Sequence, residues 1–201
     1  MDGWRQAETP DVDLVRLAAS GDREAFATLY IRYQRPIFRF ALHMTGSAVI
    51  AEDIVHDVFV AFMGNLARFD AERSLAAYLY GIARHKTRRR LHRERRLVAL
   101  DRDAQYVDHS PEGGPARRLE DGDDRRLLRN AIVALPRRYR EVIVLCNLHR
   151  LSYETAAAAI GCPVGTIRSR LHRARETLTT RLQQKLASPG RLSRSRVGFA
   201  L

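Results

Sequence analysis

Leu151 to Glu176, LSYETAAAAIGCPVGTIRSRLHRARE, leaves this chain little choice of shape. It reads as a helix, a tight turn and a second helix. Ser152 can cap the first helix, because its hydroxyl accepts from a free backbone N–H two or three residues on. Ala156 to Ile160 is a small apolar run, and Ala157 is small enough for a second helix to cross closely. Gly161 can take the positive φ that the turn requires. Pro163 suits the first position of a new helix, where its missing N–H costs nothing. Val164, Ile167, Leu171, Ala174 and Leu178 then step by three and four, so they share one buried face. The other face carries Arg168, Ser169, His172, Arg173 and Arg175. A positive helix with short polar residues near its N-terminus fits a DNA major groove. An amphipathic helix with a merely solvated basic face has the same pattern, so the stretch alone leaves both readings open.

Charge narrows the choice. The 201 residues carry 35 Lys and Arg against 23 Asp and Glu, a net charge of +12, which suggests a polyanionic partner. Nearly all of that charge is Arg, and Lys86 and Lys185 are the two lysines. No apolar run is long enough to span a bilayer, and the N-terminus lacks an apolar signal core. A cytoplasmic protein without membrane insertion is expected. Cys146 and Cys162 have no metal-ligand spacing and read as small core residues in a reducing compartment.

Helical spacing continues upstream. Asp11 to Ala19 is one short helix. Asp22 caps a second, which runs through Phe26, Leu29, Tyr30, Tyr33, Ile37, Phe38 and Phe40 to Gly46, with a kink expected at Pro36. Ser47 opens a third with Ile50, Ile54, Val55, Val58, Phe59 and Phe62 apolar. Asn65 to Arg73 is a polar break containing Phe69 and Asp70. Ser74 caps a fourth helix that buries Leu75, Leu79, Ile82 and Ala83. No β-alternation occurs anywhere, so the fold class is all-α.

The fourth helix changes character into RHKTRRRLHRERR. Residues 84–96 hold eight basic residues against one acid, Glu94. Such a run is a solvated helix end or a phosphate-binding surface. Tyr78 and Tyr80 precede it. They read equally as core or as base-stacking platforms beside a cationic groove. Residues 97–124 reverse the balance, with eight acids against Arg102, Arg117 and Arg118, and contain Ser110-Pro111 and Gly113-Gly114-Pro115. A segment of this composition buries too little apolar surface to fold alone and reads as a flexible acidic linker. Residues 125–201 carry sixteen Lys and Arg against Glu141, Glu154 and Glu176. Leu127, Leu128, Ala131, Ile132 and Leu135 form one stripe. Tyr139, Val142, Ile143, Leu145 and Cys146 form the next, ahead of the helix-turn-helix.

Four segments together resemble the extracytoplasmic-function sigma factors of bacterial RNA polymerase. DREAFATLYIRYQRPIF is similar to the start of sigma region 2, AEDIVHDVFVAFMGNLARFD to its polymerase-binding helix, and SLAAYLYGIARHKTRRRL to its promoter −10 helix. LPRRYREVIVLCNLHRLSYETAAAAIGCPVGTIRSRLHRARE resembles region 4, with PVGTIRSRLHRAR the most specific match. The resemblance implies two small helical domains. Region 2 would occupy residues 11–96 and region 4 residues 125–184, with loose tails at 1–10 and 185–201.

It also implies site residues. Asp53, His56, Asp57 and Phe59 would dock on the polymerase β′ clamp, and region 4 on the β flap. Phe69, Asp70, Tyr78, Arg84, His85 and Arg88 would read and open the −10 element, where stacking must return the few kcal/mol that flipping a base costs. Arg168, Ser169, His172 and Arg173 would face the −35 bases, and Arg150, Thr166, Arg170 and Arg175 would hold phosphates. An anti-sigma factor is an expected partner, and the free protein is expected to be a monomer. No enzyme chemistry, cofactor, metal or small-molecule substrate is implied. A stand-alone helix-turn-helix regulator explains the C-terminal half equally well, but not the run from Arg84 to Arg96.

Overall fold

The computed structural model describes residues 9–71, 73–100 and 123–187, so most of the linker and of both outer tails of the sequence reading lies outside them, while residues 185–187 of the expected C-terminal tail continue the last helix. Eight α-helices make up the described chain, with no strand among the described residues. They are α1 (Asp11–Ala19), α2 (Arg23–Thr45), α3 (Ala48–Asn65), α4 (Leu75–Leu100), α5 (Asp123–Val133), α6 (Arg137–Val142), α7 (Tyr153–Ile160) and α8 (Val164–Ala187). A 3₁₀ turn, Leu66–Arg68, follows α3, and a π-helical turn, Ile143–Leu148, extends α6.

The helix starts are where the short polar residues place them. The Asp22 carboxylate accepts from Glu24 and Ala25 N–H at 2.8 and 3.0 Å. Ser47 accepts from Ile50 at 3.4 Å, Ser74 from Ala77 at 3.2 Å, and Ser152 from Thr155 at 3.1 Å. Each satisfies an N–H that the helix itself leaves free. Gly46 (φ 79°) and Gly161 (φ 73°) end α2 and α7 in the left-handed conformation. Pro36 sits inside α2 without ending it.

Helices α1 to α4 enclose Leu29, Ile37, Phe40, Met44, Phe62 and Leu79, all essentially sealed from solvent. Helices α5 to α8 enclose Ile132, Leu135, Leu145 and Ile167 in the same way. These two interiors join into one continuous apolar cluster. Contact between the halves runs mainly along α4 and α7, with α2 touching α5 and α6. Polar groups fix the seam. Arg140 donates to the Met44 carbonyl at 2.5 Å and to the Leu135 carbonyl at 3.1 Å. Tyr80 and His149 share a hydrogen bond of 2.8 Å between the hydroxyl and Nδ1. Arg84 Nε lies 3.0 Å from a Glu141 carboxylate oxygen. That last approach is ionic rather than a well-aligned hydrogen bond, since Arg84 Nε finds no hydrogen-bond partner.

Candidate nucleic-acid and polymerase interfaces

The helix-turn-helix buries and exposes the faces that the spacing predicts. Ile167, Leu171 and Ala174 are buried, and Arg168, Ser169, His172, Arg173 and Arg175 are exposed. His172 Nε2 lies 3.3 Å from Glu176. Thr166 and Arg170, half-buried, line a cleft of about 180 Å³ with Ser169, Arg173, Arg138 and Tyr139. Arg150 stands apart, in the turn before α7. It is the non-glycine residue with positive φ among the described residues (54°).

The residues expected at the −10 element divide. Phe69 packs on Tyr78 with ring centroids 4.7 Å apart, and Phe62 supports both from 6.0 and 6.2 Å. Asn65, Arg68, Phe69, Asp70, Arg73 and Tyr78 line a cleft of about 360 Å³. Its rings offer π faces and its arginines offer charge, the combination that holds an unpaired base. Asp70 and Arg73 pair at 3.6 Å on its rim. His85 and Arg88 are exposed about two and about three turns beyond Tyr78 along α4.

Arg84 does not share this surface. It lies six residues beyond Tyr78, about 240° around a helix at about 100° per residue. It belongs instead with Ala77, Tyr80 and Thr87, the face that packs towards the second half. There it meets Glu141, which is 2% exposed and also lies 3.6 Å from Arg137. Tyr80 is likewise core, edge-on to Phe40 at 5.5 Å, and stacks with no base in this arrangement. The resemblance grouped Arg84 with the −10 contacts, while the packing turns its side chain inward.

One of the residues assigned to polymerase does not lie at the surface. Asp53, His56 and Asp57 are exposed on α3. Asp53 pairs with Arg90 at 3.5 Å and Asp57 with Lys86 at 3.4 Å. Phe59 is buried (4% exposed) against Phe26 and Tyr30, so it supports the helix from below. The apolar residues at the surface are Val49, Val60 and Met63, 69, 49 and 58% exposed. With Asp53 and His56 they follow one stripe at spacings of four, three, four and three. That pattern was available in the sequence and lay hidden in a helix rich in apolar residues. Among the described residues, no three His, Cys, Asp or Glu side chains converge to hold a metal ion, and no helix is long and apolar enough to cross a membrane.

Two family models match the chain: Sigma-70 region 2 over residues 29–97, and Sigma-70, region 4 over residues 125–178. The ECF RNA polymerase sigma-E factor of Escherichia coli strain K12 is 31% identical over 181 residues, covering 86% of this chain and 94% of that protein. The chain belongs to the ECF sigma factors. The RNA polymerase sigma-H factor of Pseudomonas aeruginosa is 32% identical over 88% of this chain and 95% of its own length. Among solved structures, CnrH in complex with the cytosolic domain of CnrY aligns with a TM-score of 0.66 and 28% identity over 87% of this chain and 97% of that one. The sigma factor RpoE of Bartonella quintana, in complex with the anti-sigma factor NepR, aligns with a TM-score of 0.64 and 26% identity, covering 79% and 96%. As a sigma factor, the chain is a transcription initiation factor.

Proposed function

We propose that this sigma factor binds core RNA polymerase, places it on promoters through two separate DNA-reading surfaces, and helps open the −10 element. The carrying observation is that one chain holds both an exposed reading helix and an aromatic cleft beside a basic helix. Residues 125–184 serve the −35 element: Arg168, Ser169, His172 and Arg173 read bases, and Arg150, Thr166, Arg170 and Arg175 hold phosphates. Residues 11–96 serve the −10 element, with Phe69, Asp70 and Tyr78 forming the base cleft and His85 and Arg88 tracking the strand. The stripe Val49, Asp53, His56, Val60 and Met63, flanked by Asp57, docks on the polymerase β′ clamp, and region 4 meets the β flap. An anti-sigma factor controls this sigma factor in the cytoplasm, a reading supported by the anti-sigma complexes of structurally similar proteins.

The test is reconstitution with core polymerase, followed by run-off transcription from a genomic promoter library. A stoichiometric complex that starts at promoters sharing −35 and −10 elements supports the reading. No complex with core, together with tight binding of the protein alone to a palindrome, overturns it in favour of a dimeric regulator.

A further inference from the structure

Helix α6 carries three arginines, and the fold commits two of them. Arg137 turns to Glu141, 3.6 Å away, and Arg140 donates to the Met44 and Leu135 carbonyls. Arg138 goes elsewhere. It is exposed and lines the cleft beside α8, together with Tyr139, Thr166, Ser169, Arg170 and Arg173. The four α8 residues step by three, one and three, so they form one stripe of that helix. Arg168, His172 and Arg175 form another stripe, which stands exposed. Helix α6 therefore borders one flank of α8 and leaves the other open.

The cleft gathers charge of one sign. Three guanidinium groups, from Arg138, Arg170 and Arg173, line it, and no carboxylate does. Like charges gathered without an acid repel one another, and an anion seated among them removes that cost. Arg138 lies over the Tyr139 ring, 4.8 Å from the centroid, and donates to the phenolic oxygen at 3.4 Å. The phenol keeps its own proton to donate. The Ser169 hydroxyl is spent on the Thr166 carbonyl at 3.1 Å, which leaves the guanidinium, phenol and threonine groups as donors. Phosphate oxygens accept from arginine forks and from hydroxyls together. A helix lying in a groove meets bases in front of it and phosphates at its flanks.

We propose that Arg138 and Tyr139 complete a DNA-phosphate site with Thr166 and Arg170, on the flank of α8 that α6 borders. The ligand is a backbone phosphate of the −35 element. The proposal rests on the reading of α8 as the −35 helix, and it extends the DNA contact beyond the helix-turn-helix onto α6. Such a contact adds affinity and fixes register without reading sequence.

The experiment is promoter binding by the full-length protein in holoenzyme, measured between about 50 and 200 mM salt on a library randomised across the −35 element. Losing one phosphate contact makes the slope of log affinity against log salt shallower by about 0.9. Arg138→Ala should show that change, and so lose about 3- to 4-fold less affinity than the unmodified protein across the range. At low salt it should bind every −35 sequence more weakly by the same factor, leaving their ranking unchanged. Tyr139→Phe should weaken binding uniformly at an unchanged slope, because it removes a donor and no charge. An unchanged slope for Arg138→Ala beside a shallower one for Arg170→Ala overturns the proposal and leaves the −35 phosphate reading of α8 intact. Unchanged slopes for both variants remove that underlying reading as well. A preference flattened at particular bases would make Arg138 a base reader. Weaker assembly with core polymerase at an unchanged salt slope would give the cleft to an acidic protein partner. Either result overturns the proposal.

Discussion

Arg168 on α8 and Arg84 on α4 were both assigned to DNA from the sequence, and the fold treats them in opposite ways. Arg168 stands exposed on a helix whose other face is fully buried through Ile167, Leu171 and Ala174. It needs no rearrangement to meet a groove. Arg84 is one-fifth exposed and sits against a carboxylate from the other half of the molecule. The basic face of α8 is therefore displayed, whereas the inner side of α4 is closed by the packing of the two halves. A basic run shows how much charge a helix carries. Which part of that charge reaches solvent depends on what the helix packs against.

Acid should break this contrast most strongly, because the closed seam holds two half-buried histidines. His149 and His43 are pushed down to about 4, first by burial and then by Arg39 for His149 and Arg129 for His43. His43 Nδ1 and His149 Nε2 are buried with no hydrogen-bond partner. Unfolded, each titrates near the ordinary 6.5, so below that pH the unfolded chain binds more protons than the folded one. Their contribution is thus complete above pH 6.5 and is lost as the pH falls towards 4. At pH 5 the loss is about 2 kcal/mol for each histidine. Thermal unfolding and small-angle scattering between pH 7.5 and 5 should show lower stability and a larger radius. A flat profile would show that neither histidine holds the seam.

Glu141→Gln addresses the same seam at constant pH. Removing one charge of a buried pair leaves the other uncompensated, and costs about 3 kcal/mol. Denaturant unfolding should fall by that amount, and Arg84→Gln should be non-additive with it. Independent effects would mean that the halves close without this pair. On the displayed side, Arg168→Ala should change stability by less than about 0.5 kcal/mol, since it buries nothing. It should still lower discrimination among −35 sequences by about 1–3 kcal/mol. An intact −35 profile in a −35 library would remove Arg168 from the reading face.

The same contrast separates what the sequence could reveal from what it could not. Asp22, Ser47, Ser74 and Ser152 were legible as caps, because capping is decided within three residues. The buried face of α8 was legible because its period is local. Phe59 and Arg84, assigned from the resemblance, both lie on sides of their helices that the packing covers, and period alone does not say which neighbour covers which side. The exposed stripe from Val49 to Met63 was hidden by the same ambiguity. Tyr139 and Arg173 lie 34 positions apart in the sequence, so only the packing of α6 against α8 brings them together. The adjacent Arg138-Tyr139 pair was the one local signal at that cleft.

The smallest expected effect tests whether the two halves are separable in function as well as in surface. Ser152→Ala removes the hydroxyl that accepts the Thr155 N–H at the start of α7, and should cost about 1 kcal/mol. Ser47→Ala removes a longer bond, 3.4 Å, at the start of α3 and should cost less. Helix α7 packs against both α8 and α4. If the halves act independently, Ser152→Ala should weaken use of the −35 element and leave assembly with core polymerase unchanged. If the seam transmits the loss, the same variant should also increase the radius of the free protein, because α7 is the main surface that α4 rests on. Scattering of the free protein, set beside −35-dependent transcription, decides between them.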